Sequence, residues 1–108
     1  MSKKIYCVAS FRAKEGKEEE LIKVLQSLEP KTTREDACIQ YIVTKHIKHP
    51  NAMGKSFPIV FNEIWASKEG FELHCEKEYI TNFFQTHCLD ENGLVEEYNV
   101  NVYSDEVN

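Results

Sequence analysis

The sequence lacks several features that would assign it to particular classes of protein. Its 108 residues hold no apolar run near the roughly 20 residues that a membrane helix needs. Its opening stretch, MSKKIYCVASFRAKEG, has no long apolar core of the kind found in secretion signals. Basic residues (13) are outnumbered by acidic ones (18) and are scattered along the chain. We therefore expect a cytoplasmic protein that binds neither nucleic acid nor anionic membranes.

A C-x-x-C pair is also missing among the four cysteines, which occupy positions 7, 38, 75 and 88. In a cytosolic chain such thiols are most simply reduced and buried. The neighbours His74-Cys75 and His87-Cys88 raise the question of zinc. Their spacing fits none of the common structural zinc patterns, so we predict no metal site.

What the chain does contain is typical of one folded domain spanning residues 1–108. Hydrophobic residues make up 42% of it and aromatic residues 11%. Leucine and valine recur at helical spacing from about residue 17, and Pro30 should kink or end that first helix. Ser67 is the predicted N-cap of a second helical region. Alternating or β-branched stretches predict strands at 3–12, 38–47, 57–66 and 94–107.

The element order β-α-β-β-α-β predicts a ferredoxin-like α+β fold, in which a four-stranded antiparallel sheet carries its helices on one face. The loop at 48–56 would join two antiparallel strands. Apolar residues occur on both faces of the predicted strands, for example Tyr6 and Val8 opposite Ile5 and Cys7. An apolar sheet face without helices should be covered, and pairing with a second copy would cover it. We therefore predict a homodimer.

Several short motifs, in order and at matching spacing, resemble the antibiotic biosynthesis monooxygenase family of dimeric α+β barrels. They are K-x-G-K-E-E at 14–19, ACIQY at 37–41, EIWAS at 63–67 followed by His74, and the aromatic segment 79–84. Three departures stand out. Ala37 takes the place of a frequent glycine, the loop at 49–57 is longer than usual, and the first strand lacks the asparagine of the haem-degrading branch.

The resemblance implies a homodimer whose sheets face each other as a barrel, with a pocket between each sheet and its own helices. It also implies a cofactor-independent monooxygenase that oxidises a quinol-like or small aromatic substrate with molecular oxygen. Such chemistry needs a base, a group that holds an oxyanion, and a dry apolar pocket. Two alternatives remain open, namely a ligand-binding or stress-response protein without catalysis and a small-molecule isomerase of the same fold.

Three residues are the candidates for catalysis. His74 could act as the base, because the reference pKa of histidine lies near neutral pH. The indole N–H of Trp65 could donate to an oxyanion, although a core role is the commoner one for tryptophan. Glu63 shares a strand face with Trp65, so a Glu63–His74 pair is expected, which would orient the imidazole and raise its pKa.

Four further residues are the candidates for substrate binding: Asn62, Tyr41, Phe71 and Phe84. Asn62 could donate to an oxyanion and Tyr41 could position a ring. Asn62 and Glu63 point to opposite sides of their strand, so both cannot line one pocket from it. His46 and His49 flank the exposed loop and are expected to be solvated.

Overall fold

The computed structural model describes residues 3–108 and confirms the ferredoxin-like α+β arrangement. All four strands pair antiparallel in the order β2-β3-β1-β4. A π-helical turn, Phe84–Leu89, extends the last helix. The elements in chain order are β1 (Ile5–Ala13), α1 (Glu18–Thr32), β2 (Cys38–Lys45), β3 (Ile59–Trp65), α2 (Lys68–Glu76), α3 (Glu78–Phe83) and β4 (Val95–Ser104).

The core lies between the helices and one face of the sheet. Strand pairing places alternate residues of β1 beside alternate residues of β3, for example Phe11 beside Ile59 and Ala9 beside Phe61. Leu21 and Leu25 recur four residues apart on α1 and are fully buried against this face. Phe11 meets Phe61 edge to face with ring centroids 6.5 Å apart. The helix-side face of the sheet thus carries Ile5, Cys7, Ala9 and Phe11, which the alternation in β1 groups on one face.

Pro30 does not end α1, which was one of the two effects predicted for it. The helix runs through Pro30 to Thr32, and the Thr33 N–H still donates to the Glu29 carbonyl over 2.9 Å. A proline in the last turn removes one backbone hydrogen bond, which is a limited loss. Thr32 is fully buried and its hydroxyl bonds the Tyr79 hydroxyl over 3.1 Å. Packing of the last turn therefore outweighs the local preference of proline.

The long loop between β2 and β3 spans residues 46–58, wider than the predicted 48–56. A hydrogen bond of 2.9 Å from the His46 N–H to the Pro58 carbonyl closes its base. Residues 57 and 58 thus belong to the loop, and β3 begins at Ile59. His46 and His49 are exposed on it. The loop borders the sheet face that carries no helices, through Lys55, Ser56 and Phe57.

A β-bulge interrupts the pairing of β4 with β1. The register between β1 and β4 shifts between Arg12 and Ala13, where Val95 pairs with Ala13 and Glu97 pairs with Arg12. One extra residue on β4 therefore lets Val95 lie on the same face as Tyr98. An uninterrupted alternation would have placed these two side chains on opposite faces.

Ser67 caps α2 as predicted, since its side-chain oxygen accepts from the Gly70 N–H over 3.0 Å. Gly70 has a second reason to be glycine. A Cβ built at Gly70 would lie 2.1 Å from the Cβ of Ala37, in the connection between α1 and β2. The absent side chain thus allows α2 to lie directly against that connection.

The other sheet face carries partly exposed apolar side chains, with Ile42 at 48% and Tyr103 at 58% exposure. Tyr6 and Val8 are half-buried there. Within residues 3–108, no helix combines the length and apolarity needed to cross a membrane.

Candidate functional site

A cavity of about 410 Å³ lies between the helix-side face of the sheet and the helices. Its volume is in the range of small-molecule sites. The sheet contributes one wall and α2, α3 and the π-helical turn contribute the other. Most of its lining is apolar. The lining residues are Cys7, Ala9, Phe11, Leu28, Tyr41, Phe61, Glu63, Phe71, His74, Cys75, Ile80, Thr81, Phe83, Phe84, Gln85, Leu89 and Val100.

The irregular course of the second helical region shapes this cavity. The sequence pattern suggests an apolar stripe through residues 80–88, but the chain breaks at Lys77, where ψ is 136°, and turns to π-helix from Phe84. A π-helical turn changes which side chains face the sheet, and such turns are frequent at functional sites. Phe84, Gln85 and Leu89 of this turn all line the cavity.

Glu63 is a buried carboxyl group on the sheet wall, 6% exposed. Its Oε1 accepts a hydrogen bond of 3.0 Å from the Trp65 indole N–H. The two side chains are neighbours because residues two apart on a strand share a face. Burial raises the pKa of Glu63 from 4.5 to about 7, and the hydrogen bonds from Trp65 and Cys7 oppose that rise.

His74 is a buried imidazole on the helix wall, 4% exposed. Its Nδ1 lies 2.9 Å from Oε2 of Glu35. The ring lies against Trp65, with centroids 4.5 Å apart, and edge to face with Tyr41 at 5.3 Å. Burial lowers the pKa of His74 below its usual 6.5, and Glu35 opposes that change. At neutral pH the imidazole is therefore mainly uncharged.

The predicted Glu63–His74 pair is wrong, because each residue has a different partner. The His74 nitrogen Nδ1 meets Glu35, and Glu63 meets the Trp65 N–H. The predicted rise in the pKa of His74 is wrong as well, since burial outweighs its carboxylate partner. Trp65 contacts both residues and thereby connects them. It is fully buried and lies behind the cavity wall, in the core position that is common for tryptophan.

The candidate substrate-binding residues separate into two groups. Tyr41, Phe71 and Phe84 line the same cavity as Glu63 and His74. Asn62 lies on the opposite sheet face, where its amide donates to the Thr44 hydroxyl over 2.9 Å. Strand alternation turns it away from the cavity that Glu63 lines, as predicted, so Asn62 is not part of the wall of this cavity.

Sequence reasoning missed Glu35 and Tyr79, which stand behind His74. The Tyr79 hydroxyl donates to the same Glu35 oxygen that meets His74. A signal was available in the topology. Antiparallel pairing of β2 with β3 sets Cys38 beside Trp65, so the residues before Cys38 must lie near the start of α2. A carboxylate at position 35 is then within reach of the second turn of that helix.

The cysteines at the site are not activated. Burial raises the pKa of Cys7 and of Cys75 above the usual thiol value, so both are protonated at neutral pH. Among the described residues, no group of three or more His, Cys, Asp and Glu side chains is arranged to hold a metal ion.

The fold and this cavity define the class of the protein as a ferredoxin-like α+β domain with a cavity between sheet and helices. Residues 4–86 match the sequence profile of the family described as antibiotic biosynthesis monooxygenase. The chain belongs to that family.

Solved structures share this fold. A protein from Shewanella oneidensis is 36% identical and superimposes with a TM-score of 0.77, over 96% of this chain and 92% of that one. A candidate antibiotic biosynthesis monooxygenase from Caulobacter crescentus shares the fold at 17% identity, with a TM-score of 0.71 over 94% and 89% of the two chains. A dabb-family protein with a ferredoxin-like fold from Mesorhizobium loti is 14% identical and superimposes with a TM-score of 0.68, over 94% of this chain and 95% of that one. None of the curated proteins matches the sequence.

Proposed function

We propose that this protein is a cofactor-independent monooxygenase that oxidises a quinol-like or other small aromatic substrate with molecular oxygen. The observation that carries the proposal is His74, an imidazole that burial keeps uncharged, in the wall of a largely apolar cavity. An uncharged imidazole can accept a proton from a ring hydroxyl. Membership of the antibiotic biosynthesis monooxygenase family supports the reaction class.

The proposed reaction begins when His74 removes a proton from a ring hydroxyl of the bound quinol. The resulting anion is electron-rich enough to pass electrons to molecular oxygen. One oxygen atom enters the ring as a hydroxyl group and the other leaves as water, while both original hydroxyls become quinone carbonyls. Atoms and electrons balance in this conversion of one quinol and one O₂ into one hydroxyquinone and one water.

Glu63 has the second role in the proposed site. Because its pKa is about 7, it carries a proton in a large fraction of molecules at neutral pH. A protonated carboxyl group in an apolar site can donate a hydrogen bond to a developing oxyanion. The Trp65 N–H is occupied by Glu63, so Trp65 acts by holding that carboxyl group. Tyr41, Phe71 and Phe84 would pack against the ring.

Oxygen uptake with a panel of substituted quinols tests the proposal. Wild-type protein should consume one O₂ per quinol and place one oxygen-18 atom from labelled O₂ into the product. His74→Ala should lower kcat/KM about 100-fold or more, since a general base contributes that much. His46→Ala removes an exposed histidine away from the cavity and is the matched control.

Two results would contradict the reaction. One is uptake at the rate of quinol in buffer alone for every member of the panel. The other is equal uptake by wild-type and His74→Ala protein. A quinol that raises the melting temperature without being consumed would instead favour a binding protein, and conversion without oxygen would favour an isomerase.

We further infer that the working form is a homodimer in which a second copy covers the helix-free sheet face. The inference is supported by the partly exposed Ile42 and Tyr103 on that face. Light scattering should give twice the chain mass. A mass near the 12.6 kDa of one chain would exclude the dimer.

A further inference from the structure

Glu35 is a second carboxylate beside the cavity, largely shielded from solvent, and the proposed reaction gives it no direct contact with substrate. It lies in the connection between α1 and β2, its side chain is 10% exposed, and it is absent from the cavity lining. One of its oxygens, Oε2, meets both His74 Nδ1 and the Tyr79 hydroxyl. The Tyr79 hydroxyl is in turn 3.1 Å from the fully buried Thr32 hydroxyl. Three elements thus hold Glu35 against one nitrogen of His74.

The packing of α2 on the connection between α1 and β2 supports this contact. The Ala66 N–H donates to the Ala37 carbonyl over 2.8 Å, which joins the end of β3 to the connection that carries Glu35. The missing side chain of Gly70 lets α2 lie against Ala37. His74 is one helical turn beyond Gly70, on the same side of α2. The contact between Glu35 and His74 therefore follows from the packing of α2 against the connection that carries Glu35.

The arrangement has a consequence for the imidazole. A carboxylate accepts hydrogen bonds and does not donate them, so the Nδ1 atom that faces Glu35 carries the proton. The other nitrogen, Nε2, then holds the free electron pair. Within residues 3–108, Nε2 has no hydrogen-bond partner, while the His74 side chain lines the cavity.

We propose that Glu35 is a positioning residue that fixes His74 as the Nδ1-protonated tautomer and leaves Nε2 as the proton acceptor for the substrate. The proposal rests on the proposed role of His74 as base. Tyr79 and Thr32 orient the carboxylate. When His74 takes up a proton, the negative charge of Glu35 stabilises the imidazolium that forms.

Several charged or titratable groups surround Glu35 and His74 and must be considered in any pH experiment. Cations come from α1, from the connection and from the break after α2, and the other nearby carboxyl groups are the exposed Asp36 and the buried Glu63. These groups are Lys31, Arg34, Asp36, Cys38, Tyr41, Glu63, Cys75, Lys77 and Tyr79. Lys77 lowers the pKa of His74 and Glu35 raises it. Removing the carboxylate should therefore lower that pKa further.

The variant Glu35→Gln tests the proposal, because an amide can donate a hydrogen bond to Nδ1 and so favour the opposite tautomer. Nitrogen-15 NMR of the imidazole rings reports the tautomer without substrate, and the His74→Gln spectrum assigns the signal. Wild-type His74 should be protonated at Nδ1. Glu35→Gln should move the proton to Nε2 in a measurable fraction of molecules, and Glu35→Asp should retain more of the wild-type state.

Kinetics supplies the second measurement. In Glu35→Gln, kcat/KM should fall at least about tenfold at its plateau, and the acidic limb of its pH profile should move to lower pH. Asp36→Asn makes the same charge change at the neighbouring exposed position and should leave both unchanged. A purely structural role for Glu35 would lower the rate without moving the limb.

The two proposals fail in different ways. Wild-type His74 protonated at Nε2, or a tautomer unaltered in Glu35→Gln, overturns the role of Glu35 whatever the turnover. The expected NMR result together with no quinol turnover by any variant would leave the role of Glu35 in place and reject the proposed reaction.

Discussion

Glu63→Gln is expected to raise the free energy of unfolding by about 3 kcal/mol at pH 8 and to leave it nearly unchanged at pH 4. The reason is the pKa of Glu63, which burial raises from 4.5 to about 7 in the folded protein. Between these two pH values the folded state binds more protons than the unfolded state. Raising the pH through this window therefore destabilises the wild-type fold.

Glutamine removes that dependence because it does not ionise, while its carbonyl oxygen can still accept the hydrogen bond from Trp65. Urea unfolding of both proteins at pH 4, 6 and 8, at one protein concentration, measures the effect. Glu72→Gln, an exposed position on α2, controls for the loss of one negative charge. Unfolding curves that keep the same separation at all three pH values would contradict the assigned pKa.

Gly70→Ala is the second change with a large expected effect, a destabilisation near the upper end of the range of about 1–3 kcal/mol for overpacking. The new Cβ would lie 2.1 Å from the Cβ of Ala37. A methyl group cannot rotate away from such a contact, so α2 must shift. Because His74 is on α2, the same shift should separate it from Glu35.

The double variant Ala37→Gly with Gly70→Ala supplies the rescue. It keeps one methyl group at the contact and transfers it from the connection to the helix. Chemical denaturation of the wild type, both single variants and the double variant forms a complete cycle. We expect the double variant to be more stable than Gly70→Ala alone. Additive losses would show that the close approach of α2 does not depend on this contact.

The sheet and its helix layer could be predicted because they follow from patterns within single segments. Alternation in β1 grouped the residues of each sheet face, and the spacing of the leucines identified the buried stripe of α1. The continuation of α1 past Pro30 and the bulge in β4 were not predicted, because packing between segments decides both. Buried Thr32 holds the last turn of α1 past Pro30, and the bulge beside Ala13 sets the register of β4.

The site was predicted in part, for a related reason. Strand alternation correctly placed Glu63 beside Trp65 and turned Asn62 away from them. The partner of His74 could not be found in this way, because Glu35 precedes it by 39 residues. The two residues come into contact only because α2 packs against the connection before β2. A pairing guessed from adjacency on the sheet chose Glu63, the nearer carboxylate in sequence.

The position of Trp65 has an optical consequence. It is the only tryptophan in the chain, its N–H is bonded to Glu63, and its ring lies against His74. Indole emission responds to a neighbouring charge, and excited indole is quenched by protonated imidazole. The tryptophan fluorescence of this protein therefore comes from the site alone. Measuring the tryptophan emission as a function of pH should therefore report the ionisation of Glu63 and of His74 without any label.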